Sequence, residues 1–401
     1  MLNKTPKANR LHIGIFGKRN AGKSSLLNAL VNQEVAIVSE IAGTTTDPVE
    51  KTMEFLPLGP VVFIDTAGVD DNGSLGAMRV EKTEKIYDRT DIAVIICDFN
   101  GWDDFEINLY KEFERRSIPV LAVINKSDIE TISPQKLDKI KNYVKEPLQT
   151  SIKSGREVVF ELKKQLVASV PENFINPPSI LGDLVPPDST VVLVIPIDKE
   201  APKGRIILPQ VQTLRDILDN GLKALVVRET ELKNALENLK EKPALVVTDS
   251  QAFKEVDEIV PKSIPLTSFS MLFARLKGDL GVFYEGAKAI DNLKDGQKVL
   301  IAESCSHHQI EDDIARVKIP RWLKKKTGKN LEFVYHSSHD FVEDLSEFAL
   351  VIHCGACMTN RREILSRIMK AKEANTPITN YGIVIAHCIG ILDRAIAPFN
   401  L

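Results

Sequence analysis

A chain of 401 residues, 43% apolar and 27% charged, is too long for one ordinary core and too apolar for disorder, so two or three globular domains are expected. A formal charge of -3 excludes nucleic-acid recognition by a global basic field. No apolar run reaches membrane-spanning length and MLNKTPKANR lacks an apolar signal core, so no membrane is expected and the protein reads as cytoplasmic.

In chain order, the apolar run Ile13 to Phe16 breaks into Gly17-Lys18-Arg19-Asn20-Ala21-Gly22-Lys23-Ser24 and resumes with helix-spaced Leu26, Leu27 and Leu30. The pattern predicts a strand, a phosphate loop and a helix. Gly17 and Gly22 let backbone N–H groups converge on phosphate oxygens, Lys23 neutralises the β- and γ-phosphates, and Ser24 offers a hydroxyl to Mg²⁺. Asn20, Ala21 and Ser25 complete this nucleotide cradle. The loop Ala42 to Pro48 is of the kind that orders around a γ-phosphate, with a threonine hydroxyl on Mg²⁺. Val61 to Ile64 reads as a strand ending in Asp65-Thr66-Ala67-Gly68, where Asp65 holds Mg²⁺ through water and Gly68 offers its N–H to the γ-phosphate. Ile92 to Cys97 reads as a buried strand, with Cys97 a core thiol.

Val120 to Ile124 leads into Asn125-Lys126-Ser127-Asp128. A carboxylate here accepts two hydrogen bonds from the N1–H and N2–H₂ edge of guanine, which adenine does not present, so the site selects GTP. Ser151-Ile152-Lys153 stands where a last base-contacting loop is expected. Residues 11 to about 170 therefore resemble the translation-factor-type GTPases, nearest the Era and MnmE (TrmE) group. That resemblance implies K⁺ binding at Asn20, the Mg²⁺ threonine at Thr45 through a G-T-T-x-D pattern, and a hydrolytic set of Lys23, Asn20, Thr45, Asp65 and Gly68. Val69 follows Gly68 and cannot orient a water as glutamine does, so slow hydrolysis is expected.

Five prolines punctuate residues 171–188, which read as a stiff linker between a GTPase domain (1–170) and a middle α/β domain (189–264). In the latter, Val191 to Ile195, Ala224 to Val227 and Ala244 to Val247 alternate with helix-like segments. No catalytic constellation is found there; a docking or dimerisation surface and a plain spacer are both compatible with it.

A third α/β domain (265–401) opens with helix-like spacing from about Ser268 to Ala289. Val299 to Ala302 then ends in Glu303-Ser304-Cys305-Ser306-His307-His308, and Phe348 to Ile352 ends in His353-Cys354-Gly355-Ala356-Cys357. Both thiol groups follow apparent buried strands, whose carboxyl ends form the ligand crevice of an open α/β sheet. Gly355 is expected to let the C-x-x-C turn fold tightly. Three thiolates suit a Cys₃His zinc site closed by His307 or His353, a 4Fe-4S cluster with one iron open or weakly held by His307, His353, Glu311 or Asp312, or a redox dithiol. Elsewhere, Cys388 reads as a core thiol on a helix, His336 and His339 as a polar loop, and Arg321 to Lys326 as a solvated basic face.

The order Cys305, His307, His353, Cys354, Cys357 behind a GTPase and a middle α/β domain resembles the HydF family of FeFe-hydrogenase maturation proteins, over the whole chain. The resemblance implies a 4Fe-4S cluster on the three cysteines, with His307 and His353 as further candidate ligands. It also implies dimerisation through the middle domain and a scaffold that passes a di-iron precursor among radical-SAM maturation proteins and the hydrogenase apoprotein. The fold class expected is α/β, a P-loop GTPase domain followed by two smaller α/β domains. The rival reading is an RNA-modification or ribosome-associated GTPase with a zinc-stabilised accessory domain.

Overall fold

Continuous apolar runs make strands that must be covered on both faces, and that requirement organises the whole chain. The computed structural model describes residues 5–33, 37–41, 49–66, 85–151, 156–197, 206–304, 313–337, 341–342, 344–357 and 359–401. The chain separates into two units, Met1–Pro177 and Pro178–Leu401.

In the first unit the described elements are β1 (Leu11–Phe16), α1 (Lys23–Gln33), β2 (Ile37–Ile41), β3 (Val49–Glu54), β4 (Pro60–Asp65), β5 (Ile92–Cys97), α2 (Asp104–Arg115), β6 (Val120–Ile124), α3 (Pro134–Lys141), β7 (Leu148–Gln149) and α4 (Arg156–Ala168). They form a sheet of order β2-β3-β4-β1-β5-β6-β7. β1 is parallel to β4 and β5, and only β3 runs against the rest of the sheet, antiparallel to both β2 and β4. Every residue of β1 and β5 is buried, as the runs require. Leu11, Ile13 and Ile15 join the core beneath α1 and α4, whereas Ile95 and Cys97 face Phe113 of α2 on the other side. Helix ends are set by local chemistry: Asp103 and Glu106 form a capping box on α2, and Ser133 caps α3 ahead of Pro134.

The second unit holds β8 (Thr190–Val194), α5 (Leu208–Asp219), β9 (Lys223–Val227), α6 (Leu232–Asn238), β10 (Leu245–Thr248), α7 (Phe253–Ile259), β11 (Leu266–Ser268), α8 (Phe269–Lys277), α9 (Leu280–Lys288), β12 (Lys298–Ala302), α10 (Ile319–Thr327), β13 (Glu332–His336), β14 (Phe348–His353), α11 (Arg361–Glu373), β15 (Ile378–Asn380), α12 (Tyr381–Ile389) and α13 (Leu392–Ile396). Two parallel sheets result, ordered β11-β10-β8-β9 and β13-β12-β14-β15. One face of the first sheet, with Val192, Val194, Val246 and Leu266, shares a core with the second sheet. Its opposite face, with Val191, Leu193 and Leu245, packs on Phe269, Leu272 and Phe273 of α8.

Four details depart from the sequence reading. Residues 180–185 are not spacer: Ile180, Leu181 and Val185 are buried, and the Asp216 carboxylate accepts the N–H groups of Ile180, Leu181 and Gly182 at 2.9–3.0 Å. The middle sheet continues past residue 264, because Leu266–Ser268 pairs with β10. The helical stretch 268–289 is two helices, since α8 ends at Gly278 and the Asp279 carboxylate starts α9 by accepting from Val282 N–H at 3.0 Å. His336 ends edge strand β13 rather than lying in a loop, and its carbonyl accepts from Glu303 N–H at 2.7 Å. His339 lies outside the described residues.

Candidate functional site

The phosphate loop leaves the carboxyl end of β1 between β4 and β5 and enters α1. Gly17 adopts φ +140°, and a Cβ there would lie 2.1 Å from the Ile96 carbonyl oxygen, so no other residue fits. Gly22 (φ 109°) and Asn20 (φ 63°) are also left-handed. Asparagine is among the few residues that adopt this conformation readily, which gives Asn20 a backbone role besides any ligand role. The Lys23 ammonium is buried inside the loop, held by the carbonyls of Gly17 and, at 2.9 Å, Lys18. Ser24 Oγ donates to Asp65 Oδ2 at 2.9 Å, so the two expected Mg²⁺ residues meet although 41 residues separate them. Ser25 is exposed on the first turn of α1.

Asn125 follows β6, and its Nδ2 donates to the Ala21 carbonyl at 2.8 Å. Asp128 is exposed and accepts from Ser151 Oγ at 2.6 Å, while Lys126, at φ 64°, reaches Asp98 at 3.6 Å. Asp128 is thus a surface carboxylate that accepts from Ser151. Thr45, Gly68, Val69, Ile152 and Lys153 lie outside the described residues. Cys97 is buried, and burial pushes its thiol up to about 12, in keeping with a core residue.

In the second unit β12 and β14 are adjacent and parallel, with Ala302 opposite His353. Cys354 N–H donates to the Ala302 carbonyl at 2.9 Å, and Ser304 N–H donates to Cys354 Sγ at 3.2 Å. The residue before Cys305 therefore touches Cys354. Cys305, His307, His308, Glu311 and Asp312 lie outside the described residues. Among the described residues no group of three or more His, Cys, Asp or Glu side chains assembles as a metal site.

The turn differs from expectation in its strained position. Ala356, not Gly355, is left-handed (φ 53°), and a Cβ at Gly355 would meet none of the described residues within 4 Å. His353 is buried, its Nδ1–H donating to the Cys354 carbonyl at 2.8 Å and its Nε2 accepting from Arg367 Nη1 at 2.7 Å. Both ring nitrogens are engaged, so in this arrangement His353 supports the turn instead of offering a ligand. Burial and the adjacent Arg367 push the imidazole down to about 3, hence neutral. Arg367 is itself buried, pairs with Glu363 and lies over the Phe341 ring.

The sequence reading missed Lys277, the last residue of α8. Its buried ammonium donates to the carbonyls of Ala356, Cys357 and Thr359 at 3.0, 3.2 and 2.8 Å. Burial pushes it down to about 8, opposed by the Cys357 and Cys354 thiols. A lysine in the last turn of a helix reads as a dipole partner, so no local signal distinguished it. Nearby, Ser304 Oγ and Tyr381 Oη are buried with no hydrogen-bond partner among the described residues. Cys388 lies on α12, where burial pushes its thiol up to about 12. Arg321, Lys324 and Lys325 project from α10 into solvent.

A phosphate loop at β1, a paired serine and aspartate, and an asparagine and aspartate after β6 define a P-loop GTPase domain, here continuous with a second, thiol-bearing α/β unit. Residues 12–126 match the family model described as a 50S ribosome-binding GTPase. Residues 180–278 match the Hydrogen maturase F dimerization domain, and residues 281–398 the Hydrogen maturase F tetramerization domain. The chain belongs to the HydF-type maturation GTPases.

Among curated proteins it is 34% identical over 187 residues to GTPase Der of Wolinella succinogenes, covering 44% of this chain and 39% of that protein. It is 35% identical over 150 residues to the tRNA modification GTPase MnmE of Endomicrobium trichonymphae, covering 36% of this chain and 32% of that protein. The chain thus spans less than two-fifths of the length of these relatives. The crystal structure of Aquifex aeolicus Era bound to GDP and AlF₄⁻ aligns with a TM-score of 0.34 and 22% identity, over 54% of this chain and 93% of that one.

Proposed function

We propose that the chain is a GTP-hydrolysing scaffold whose second unit carries a 4Fe-4S cluster on Cys305, Cys354 and Cys357 and delivers a di-iron precursor for the FeFe-hydrogenase active site. The observation that carries the reading is the Ser304 N–H to Cys354 Sγ contact. It brings the ends of β12 and β14 together in a chain with both maturase F domains. Two cysteines on one tight turn, an amide donor to sulfur, and buried hydroxyls of Ser304 and Tyr381 with no partner among the described residues suit a soft, anionic group. Cys305, Cys354 and Cys357 would hold the cluster, which would supply iron chemistry for carrying the di-iron precursor as cargo.

The protein's own groups have distinct tasks. Lys23 and the loop amides hold phosphates, Ser24 and Asp65 with Thr45 hold Mg²⁺, and Asp128 accepts from guanine. Asn20 holds K⁺ beside the β/γ bridge, which makes hydrolysis potassium-dependent; Gly68 binds the γ-phosphate, and without a glutamine after it turnover is slow. Ser151, Ile152 and Lys153 supply the last base contacts. The second unit oligomerises through its dimerization domain, where β9 is the sheet's edge strand and Val226 is exposed. The site of action is the cytoplasm, with the hydrogenase apoprotein and radical-SAM maturation proteins as partners.

The test is iron, sulfide and zinc analysis with EPR on anaerobically reconstituted full-length protein, against a Cys354→Ser, Cys357→Ser variant. About four irons per chain and a reducible signal, lost in the variant, are expected. One tight zinc and no iron would overturn the scaffold reading. GTP turnover in K⁺ no faster than in Na⁺, or no faster than in Lys23→Ala, would overturn the hydrolytic part.

A further inference from the structure

Helix α8 is shared by two cores. Phe269, Leu272 and Phe273 are buried with Leu193 and Leu245 of the middle sheet, while Met271 and Ala274 are buried in the core around β12 and β14. The helix ends at Lys277, which is 5% exposed. An ammonium has three donors and no acceptor. Here three carbonyls of one turn, those of Ala356, Cys357 and Thr359, lie 2.8–3.2 Å from it. Beside it, Arg361 Nε donates to the Leu276 carbonyl at 3.1 Å, tying the start of α11 to the same helix end. The turn so held contains the left-handed Ala356, a conformation that persists only where surrounding contacts fix it.

We infer that Lys277 is a positioning residue. It locks the Cys354 to Cys357 turn in place and couples it through α8 to the sheet of the dimerization domain, while setting a buried positive charge beside the two sulfurs. The charge effect rests on the cluster reading above; the mechanical effect does not. A fixed cation favours the more negative, reduced state of any group on those sulfurs, so its loss lowers the reduction potential.

Two variants separate the effects. Lys277→Met keeps an apolar stem of similar length and removes donors and charge; Lys277→Arg keeps the charge with a different donor geometry. In the metal-free full-length protein, hydrogen–deuterium exchange of the amide of Thr359, which donates to Ala356, is expected to rise at least tenfold in Lys277→Met and about threefold in Lys277→Arg. Exchange in β8 and β12 is expected to stay unchanged. After anaerobic reconstitution with ferrous iron and sulfide, the reduced-to-oxidised ratio at a fixed potential should fall about tenfold in Lys277→Met, or about 59 mV for one electron. In Lys277→Arg it should change less than threefold.

Wild-type exchange at Thr359 in Lys277→Met would overturn the positioning role, and so would faster exchange spread through the whole second unit of both variants. If Lys277→Met does not fold, Lys277→Arg decides alone, and wild-type exchange at Thr359 overturns the role. An unchanged potential in Lys277→Met with faster exchange would overturn the charge effect. Absence of iron in the wild type would sink the cluster reading and the charge effect with it, while the exchange result still decides the mechanical one.

Discussion

Asn125 donates its side-chain amide to the carbonyl of Ala21 at 2.8 Å, joining the end of β6 to the phosphate loop across 104 residues. The base-recognition segment and the phosphate segment are thereby parts of one structure before any nucleotide is considered. Both residues are buried, so the carbonyl has no ready access to replacement water.

Asn125→Ala is therefore expected to weaken the first unit by about 1–3 kcal/mol, the usual cost of orphaning a buried acceptor. Urea unfolding of the nucleotide-free protein, followed by Trp102 fluorescence, measures it. The second of the chain's two tryptophans, Trp322, lies in the other unit, so a Trp322→Phe background isolates the signal. An unchanged midpoint would show that the bond carries no net stability.

Asp128 and Ser151 make the nucleotide choice testable. Ser151 donates to one carboxylate oxygen at 2.6 Å, and in the proposed role the carboxylate accepts from two donors of guanine. Asp128→Asn replaces an acceptor with a donor, and GTP affinity should drop at least about a hundredfold, in line with sites that reject analogues lacking the partner group. Xanthosine triphosphate carries an oxygen where guanine has its amino group, and should bind the variant better than GTP does. Calorimetric titration with both nucleotides decides; equal loss for both would remove Asp128 from base selection.

In the second unit, Arg394 on α13 gathers the end of α7. Its Nη1 meets Asp257 Oδ1 at 2.5 Å, and its Nη2 meets the carbonyls of Val260, Pro261 and Ile264 at 2.7–3.1 Å. Burial by itself raises the Asp257 carboxyl, but Lys262 and Arg394 outweigh that and hold it below its ordinary value of 3.8. A depressed folded value means stability that is present above pH 3.8 and is lost as pH falls through the folded value. Arg394→Met should cost about 1–3 kcal/mol at pH 7, chiefly by taking the donor from the carbonyls of Val260, Pro261 and Ile264, since Lys262 still pairs with Asp257. The deficit of Asp257→Asn should shrink as pH falls from 3.8 through the depressed folded value. Unfolding of the second unit in urea over a pH series from 7 downward checks both.

The dimerization domain can be probed at its edge. β9 ends the sheet order, and Val226 on it is 46% exposed. Val226→Lys places a charge where edge pairing would bury an apolar side chain and should weaken self-association at least about tenfold, as sedimentation at several concentrations would show. An unchanged association constant would move the interface elsewhere.

The strands were legible because their chemistry is local. Ile92 to Cys97 and Val299 to Ala302 are uninterrupted apolar runs that can only be buried, and Asp65 and Asn125 stand immediately at strand ends. What the sequence withheld depends on tertiary partners. Ile180 and Leu181 sit in a proline-rich stretch that looks like spacer until Asp216, more than thirty residues on, binds their amides. Lys277 is one of many lysines, and its three acceptors lie about eighty residues away. His353 looks like a ligand beside Cys354 because nothing local announces Arg367, which faces it one helix later.

Two glycines in two motifs should respond very differently to the same substitution. Gly17 begins the phosphate loop at φ +140°, with the Ile96 carbonyl 2.1 Å from where a Cβ would stand, and that neighbour is strand backbone. Relief requires β5 to shift against β1, which a close-packed sheet resists. Gly17→Ala should therefore lower the stability of the first unit by about 3 kcal/mol or more and abolish nucleotide binding, leaving the second unit's unfolding unchanged. Gly355 lies between two cysteines in a turn that suggests the same need, yet a Cβ there meets none of the described residues within 4 Å and its φ is not left-handed. Gly355→Ala should stay within about 0.5 kcal/mol of wild type, as a surface substitution does. Differential scanning calorimetry of the two variants, with a fluorescent GTP analogue for the first, measures both. A strongly destabilised Gly355→Ala would mean that the strain of the thiol turn rests on residue 355 and not on Ala356.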